Sequence, residues 1–174
     1  MKNVQFNIRP VLFCDLEKLT EIGELTFREA FEALNDPDDF EDYVKNNLSL
    51  EIIREEWNDP KNAFFLLEHE REVAGYLKLQ SGKQPSCVPG NSVIALERLY
   101  LKNDKQNLGL GQKLFQFAVE RARAQNFQVM WLGVWEHNEG AIRFYQRFGM
   151  KKCGSHIFQL GGDPQTDWIM WMDL

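Results

Sequence analysis

Residues Leu96 to Gly111 read LERLYLKNDKQNLGLG. An apolar run passes into a glycine-rich turn, and an amphipathic stretch follows at once. A helix opening there leaves backbone N–H groups without partners and a partial positive charge at its first turn. Gly109 and Gly111 let the main chain come close to a bound anion. Together these features make a phosphate cradle, with Lys102, Lys105 and Lys113 as nearby cations. A simple tight turn would use the same residues. Two better-known phosphate loops do not fit. The dinucleotide-binding pattern GxGxxG needs a glycine where Leu114 stands, and the Walker pattern needs Lys where Gln112 follows Gly111.

These residues need a sheet and helices to position them. Val4 to Arg9 alternates apolar and polar residues and predicts a strand ended by Pro10. Asp15 is placed to cap a helix carrying Leu16, Leu19, Ile22 and Leu25. The acidic segment Asn35 to Asp42 contains Pro37 and reads as a loop into a second helix, Tyr43 to Trp57. Ala63 to Glu68 and Val73 to Gln80 read as a hairpin. Ser81 to Asn91 reads as a loop and Val93 to Leu101 as a central strand. A helix from Gly109 to Gln125, a strand from Val129 to Trp135 and a helix from Asn138 to Phe148 follow. Ala141, Tyr145 and Phe148 share one stripe of the last helix, and Gly149 ends it. Strands Lys152 to Leu160 and Asp167 to Met172 close the chain around Gly161-Gly162-Asp163-Pro164. The expected fold class is α/β, one domain over residues 1–174, with a mixed sheet.

The 174 residues are 44% hydrophobic and 26% charged, with a net charge of −6. That balance is ordinary for a globular chain and argues against nucleic acid as a partner, whose readers carry a basic face. A negative surface steers cations, or simply confers solubility. The start of the chain lacks the apolar core of a signal peptide, and no apolar run reaches membrane-spanning length. His69, His137 and His156 lack metal-ligand spacing, so no metal is expected. Cys14, Cys87 and Cys153 form no CxxC pair and suggest neither zinc nor a disulfide. Reduced thiols in a cytoplasmic protein are the expectation.

Gln106-Asn107-Leu108-Gly109-Leu110-Gly111 resembles the Gln/Arg-x-x-Gly-x-Gly/Ala signature of the GNAT acetyltransferase superfamily, and Asn138 to Tyr145 (NEGAIRFY) resembles its second motif. The order of elements is similar to that fold over nearly the whole chain, which implies about seven strands and about four helices. Segments Glu97 to Tyr100, Trp131 to Glu136 and Gln165 to Asp167 resemble the PaiA-type polyamine acetyltransferases in particular. Met150 departs from the Phe that many relatives carry after the glycine.

The resemblance implies transfer of an acetyl group from acetyl-coenzyme A directly to an amine. The main chain of Leu99, Tyr100 and Leu101 would pair with the pantetheine arm. Residues Gln106, Asn107, Leu108, Gly109, Leu110, Gly111 and Gln112 would hold the pyrophosphate. Asn138 would bind near the thiol. Tyr145 would lie beside the sulfur as proton donor, or else be a core tyrosine. A backbone N–H at a bulge near Leu101 would stabilise the developing oxyanion. The acceptor is protonated at neutral pH and must lose a proton. Glu97 would take it, directly or through water, or would serve only as an ion-pair partner. The five acids between Asp36 and Asp42 would border the acceptor site and favour a polyamine such as spermidine or spermine, or form a plain solvated run. Alternatives are a GNAT enzyme for a protein N-terminus, lysine or aminoglycoside, and a non-catalytic acyl-CoA-binding module. A homodimer would follow the habit of the family.

Overall fold

The computed structural model describes residues 6–174. Seven strands form one sheet: β1 (Phe6–Pro10), β2 (Asn62–His69), β3 (Glu72–Ser81), β4 (Val93–Leu101), β5 (Val129–Trp135), β6 (Lys151–Leu160) and β7 (Asp163–Asp173). Their spatial order is β1-β2-β3-β4-β5-β7-β6. All neighbours are antiparallel except β4 and β5. The predicted first strand is present from Phe6; Val4 lies outside the described residues. Glu70 and Arg71 both take positive φ, 53° and 71°. This two-residue turn matches the twist of the β2–β3 hairpin.

Five α-helices cover the sheet: α1 (Leu16–Phe31), α2 (Pro37–Asn47), α3 (Leu50–Asn58), α4 (Leu110–Ala124) and α5 (Glu139–Arg147). Leu19, Ile22 and Ile53 pack with Phe64, Leu66 and Tyr76 on one face. Leu110, Leu114, Phe115 and Ile142 pack with Phe65, Leu67 and Leu77 on the other. Covered on both faces, β2 reads as a continuous apolar run, whereas β3 buries the polar side chains of Lys78 and Gln80 among its apolar residues.

Three expectations are corrected. Residues Asn35 to Asp42 are not a loop up to Tyr43. Asp36 accepts from the amides of Asp38 and Asp39, Pro37 fills the first helical position, and α2 starts there. The expected single helix Tyr43 to Trp57 is two, because Ser49 caps a fresh start at α3. Asp15 stands before α1 but does not cap it; its carboxylate accepts from Arg9 at 2.6 and 2.9 Å and from the amide of Leu12.

The cysteines are not all free. Cys87, in the loop before β4, and Cys153, on β6, form a disulfide with Cα atoms 5.6 Å apart; Cys14 is free and exposed. A sequence separation of 66 carries no local signal for that pairing. Among the described residues, no helix is long and apolar enough to cross a membrane, and no cluster of His, Cys, Asp and Glu could hold a metal ion.

Candidate active site

The site begins where the sheet parts. β4 and β5 pair only at Val93–Val129, Ile94–Met130 and Ala95–Trp131. Beyond them, Leu96 and Arg98 to Leu101 pair with β3 alone and Leu132 to Trp135 with β7 alone. The facing edges of the two strands therefore carry backbone groups with no ladder partner between them. Gly133 is exposed although it sits in an inner strand, since its ladder neighbour has moved away and it has no side chain.

The bulge lies at Glu97, not near Leu101 as expected. Lys78 pairs with Arg98 and Leu79 with Leu96, leaving Glu97 as the extra residue. Such a bulge bends the strand and re-aims its groups. Leu99, Tyr100 and Leu101 follow in regular register with Leu77, Tyr76 and Gly75.

Helix α4 opens on the same side of the sheet as the Leu110–Leu114 core. Gly109, its N-cap, has φ 77° and gives no side-chain cap. Asn107 also has positive φ, 60°, a conformation Asn tolerates. The amides that open the helix at Leu110, Gly111 and Gln112 are thus not taken by a capping side chain, and the space beside Gly109 is open: an added Cβ there meets nothing within 4 Å.

A cavity of about 360 Å³ fills the parting. Glu97, Leu99, Tyr100, Asn138 and Tyr145 line it. Asn138 caps α5 through Oδ1, which accepts from the amide of Ala141 at 3.1 Å; its amide nitrogen keeps two donors for other partners. The ring of Tyr145 packs against Phe115 and Phe144. Burial raises the pKa of its phenol above the ordinary 10, so the hydroxyl holds its proton at neutral pH.

Glu97 is tied into an ion network. Its carboxylate accepts from Lys78 Nζ at 2.9 Å, and Lys78 also stands 2.9 Å from Glu56. Arg98 grips Glu56 through both terminal nitrogens, at 2.8 and 3.0 Å.

Residues 19–150 match the Acetyltransferase (GNAT) family. This chain belongs to the GNAT family. It is similar to an uncharacterized N-acetyltransferase of Lactobacillus delbrueckii, 36% identical over 90% of either chain. A second uncharacterized N-acetyltransferase, from Mycobacterium bovis, is 28% identical over 92% of this chain and 98% of its own. Among solved structures, the PaiA N-acetyltransferase of Thermoplasma acidophilum in complex with coenzyme A superposes with a TM-score of 0.74 at 19% identity, covering 98% of this chain and 99% of that one. The chain is thus an acyl-CoA-dependent N-acetyltransferase with the GNAT fold.

Two features of this GNAT site escaped the sequence. The acidic run does not line the cavity. Asp36 caps α2, Asp39 accepts from the amide of Gly162, and Glu41 is paired with Arg28. The second is the pair Asp167 and His156, both in the cavity wall. Asp167 Oδ2 lies 3.8 Å from His156 Nε2. Burial, and then Glu136, push the Asp167 carboxyl up to about 6, while burial lowers His156. The segment Gln165 to Asp167 was visible only as part of a family resemblance, and the β6–β7 register opposes His156 to Asp167 without any local motif.

Proposed function

We propose that this GNAT enzyme moves acetyl from acetyl-coenzyme A to a primary amine carried on an extended apolar chain, with a polyamine such as spermidine or spermine as acceptor. The observation that carries the reading is the uncapped start of α4 beside the parted strands. Amides from Asn107 to Gln112, with Gln106, would hold the pyrophosphate on the helix dipole. The free edge of Leu99, Tyr100 and Leu101 would take the pantetheine arm as an added strand takes its neighbour.

When bound, acetyl-coenzyme A supplies an activated thioester. The residues do the rest by position and proton transfer. Tyr145, protonated at neutral pH, would donate to the leaving thiolate. The bulge at Glu97 leaves main-chain groups free of regular pairing, where an N–H would stabilise the oxyanion. Asn138 would offer its amide nitrogen near the thiol.

Phe31 meets Tyr100 and Trp135 edge-on, with ring centroids 6.3 Å apart in each case, and all three line the cavity. Such walls suit methylene spacers and an ammonium group over ring faces. The carboxylates of Glu97 and Asp167 line the same space, so the support for a cationic chain comes from these two rather than from α2. Phe27, Tyr43 and Leu160 also line the cavity, and an apolar-walled space of about 360 Å³ favours a slender acceptor over a folded protein surface.

Release of coenzyme A thiol, measured with spermidine, spermine, an alanyl peptide and an aminoglycoside, tests the reading. Amine-dependent release highest with the polyamines is expected. Release with none of the four amines contradicts the assignment, and release with the peptide alone contradicts the acceptor.

A further inference from the structure

We infer that Asp167, with His156 beside it, receives the proton of the acceptor amine, and that Glu97 does not. The inference rests on the acetyl-transfer reading above and names the proton acceptor of that reaction.

Asp167 sits where three strands meet the cavity. The register sets it opposite Trp135 on β5 and opposite His156 on β6. Its carboxylate and the imidazole converge over Gly133: a Cβ added there would stand 3.0 Å from His156 Cε1 and 3.3 Å from Asp167 Oδ2. The missing side chain at Gly133 is therefore what lets the two groups meet at the parting of β4 and β5.

At 3.8 Å the two groups are farther apart than a charge-assisted hydrogen bond. Here the Asp167 side chain is 14% exposed and that of His156 39%. The influences on Asp167 are burial and the Glu136 carboxylate, with no hydrogen bond lowering it. A desolvated carboxylate in a cavity wall, with a second titratable group beside it, is a candidate for a functional group. Glu97 is the reverse case, since Lys78 holds it at 2.9 Å and it would have to break that pair to accept a proton. The raised pKa of Asp167 also brings it nearer to that of an amine than an ordinary carboxyl would be.

The step balances as follows. The ammonium passes one proton to a carboxylate oxygen of Asp167. The freed nitrogen lone pair forms the new N–C bond to the acetyl carbon, and the C–S bond breaks. The departing sulfur takes the phenol proton of Tyr145, and the second proton, shed by the newly acylated nitrogen, restores that phenol, so that the amide leaves neutral. Asp167 then returns its proton to solvent through His156 Nε2, the more exposed member of the pair. The other charged or titratable groups lining the cavity are Glu97, Arg98, Lys83, Tyr43, Tyr76 and Tyr100, and Glu136 acts on Asp167 from the end of β5.

The test compares Asp167→Asn with the wild type on two acceptors: an alkylamine that is protonated at neutral pH, and a fluorinated alkylamine that is not. With the protonated acceptor, kcat should fall on the order of 100-fold while the KM for acetyl-coenzyme A holds. With the uncharged acceptor the loss should be at least about tenfold smaller, because no proton need leave first. Equal losses on both acceptors, or no loss on either, would overturn the inference. His156→Gln should give a smaller loss, again greater with the protonated acceptor. If Asp167→Asn does not fold, this variant decides: an equal loss on both acceptors overturns the proton route. A wild type that releases no thiol with any amine overturns the parent reading and this one together.

Discussion

Lys78 donates to Glu97 at 2.9 Å from a side chain that is 1% exposed. Its ammonium also stands 2.9 Å from Glu56 and 5.4 Å from the ring centre of Phe64. A buried cation between two carboxylates is a fixed structural charge, and it binds the bulged strand β4 to β3 and, through Glu56, to α3.

Replacing that cation should therefore cost stability. Lys78→Met leaves Glu97 without its donor and should destabilise the fold by about 3 kcal/mol, the usual cost of breaking a buried pair from one side. Urea unfolding measures it. Adding Glu97→Gln should recover part of the loss, since the two residues touch. An unchanged unfolding midpoint in Lys78→Met would remove the network from the fold's support.

Tyr145→Phe should lower kcat on the order of 100-fold and leave the acetyl-coenzyme A KM near its wild-type value. Burial raises the Tyr145 pKa above 10. Loss of its proton should therefore impose no fall in wild-type rate between about pH 8 and 9.5. Steady-state kinetics across that range check both points. Turnover equal to wild type would leave Tyr145 as a packing residue.

Asp167 should make stability depend on pH in an unusual sense. Its folded pKa is about 6 against an ordinary 3.8, so the native state binds more protons between those values. Stability contributed by this group is then highest at low pH and falls as pH rises from about 4 to 6. After allowance for its partial exposure, the loss is on the order of 2 kcal/mol. Asp167→Asn should flatten that limb and raise the melting temperature at pH 7. A lower melting temperature would mean that the carboxylate is stabilising.

The chain's chemistry was legible where it is local. The β4 strand, its glycine turn and α4 follow one another in sequence, so periodicity and Gly109 locate the helix start to within a residue. The β2–β3 hairpin was legible for the same reason. Asp36 and Pro37 misled, because acid and proline also describe loops; their meaning as cap and first helical residue depends on position. Lys78 with Glu97, His156 with Asp167, and Cys87 with Cys153 meet only through strand register or loop placement. Residue types alone leave such pairings open. The bulge was expected near Leu101 and lies at Glu97, because register shifts depend on both strands.

The most direct measurement is calorimetric titration of coenzyme A into the wild type, Gly109→Asp and Gly109→Asn. Gly109 has positive φ and open space beside it. Asn tolerates that backbone and adds no charge, whereas Asp sets a negative charge where the pyrophosphate should lie. The expected result is one coenzyme A per wild-type chain, modest weakening in Gly109→Asn, and a drop on the order of 100-fold in Gly109→Asp, equivalent to roughly 3 kcal/mol. Wild-type affinity in Gly109→Asp would contradict the placement of the cofactor at the start of α4.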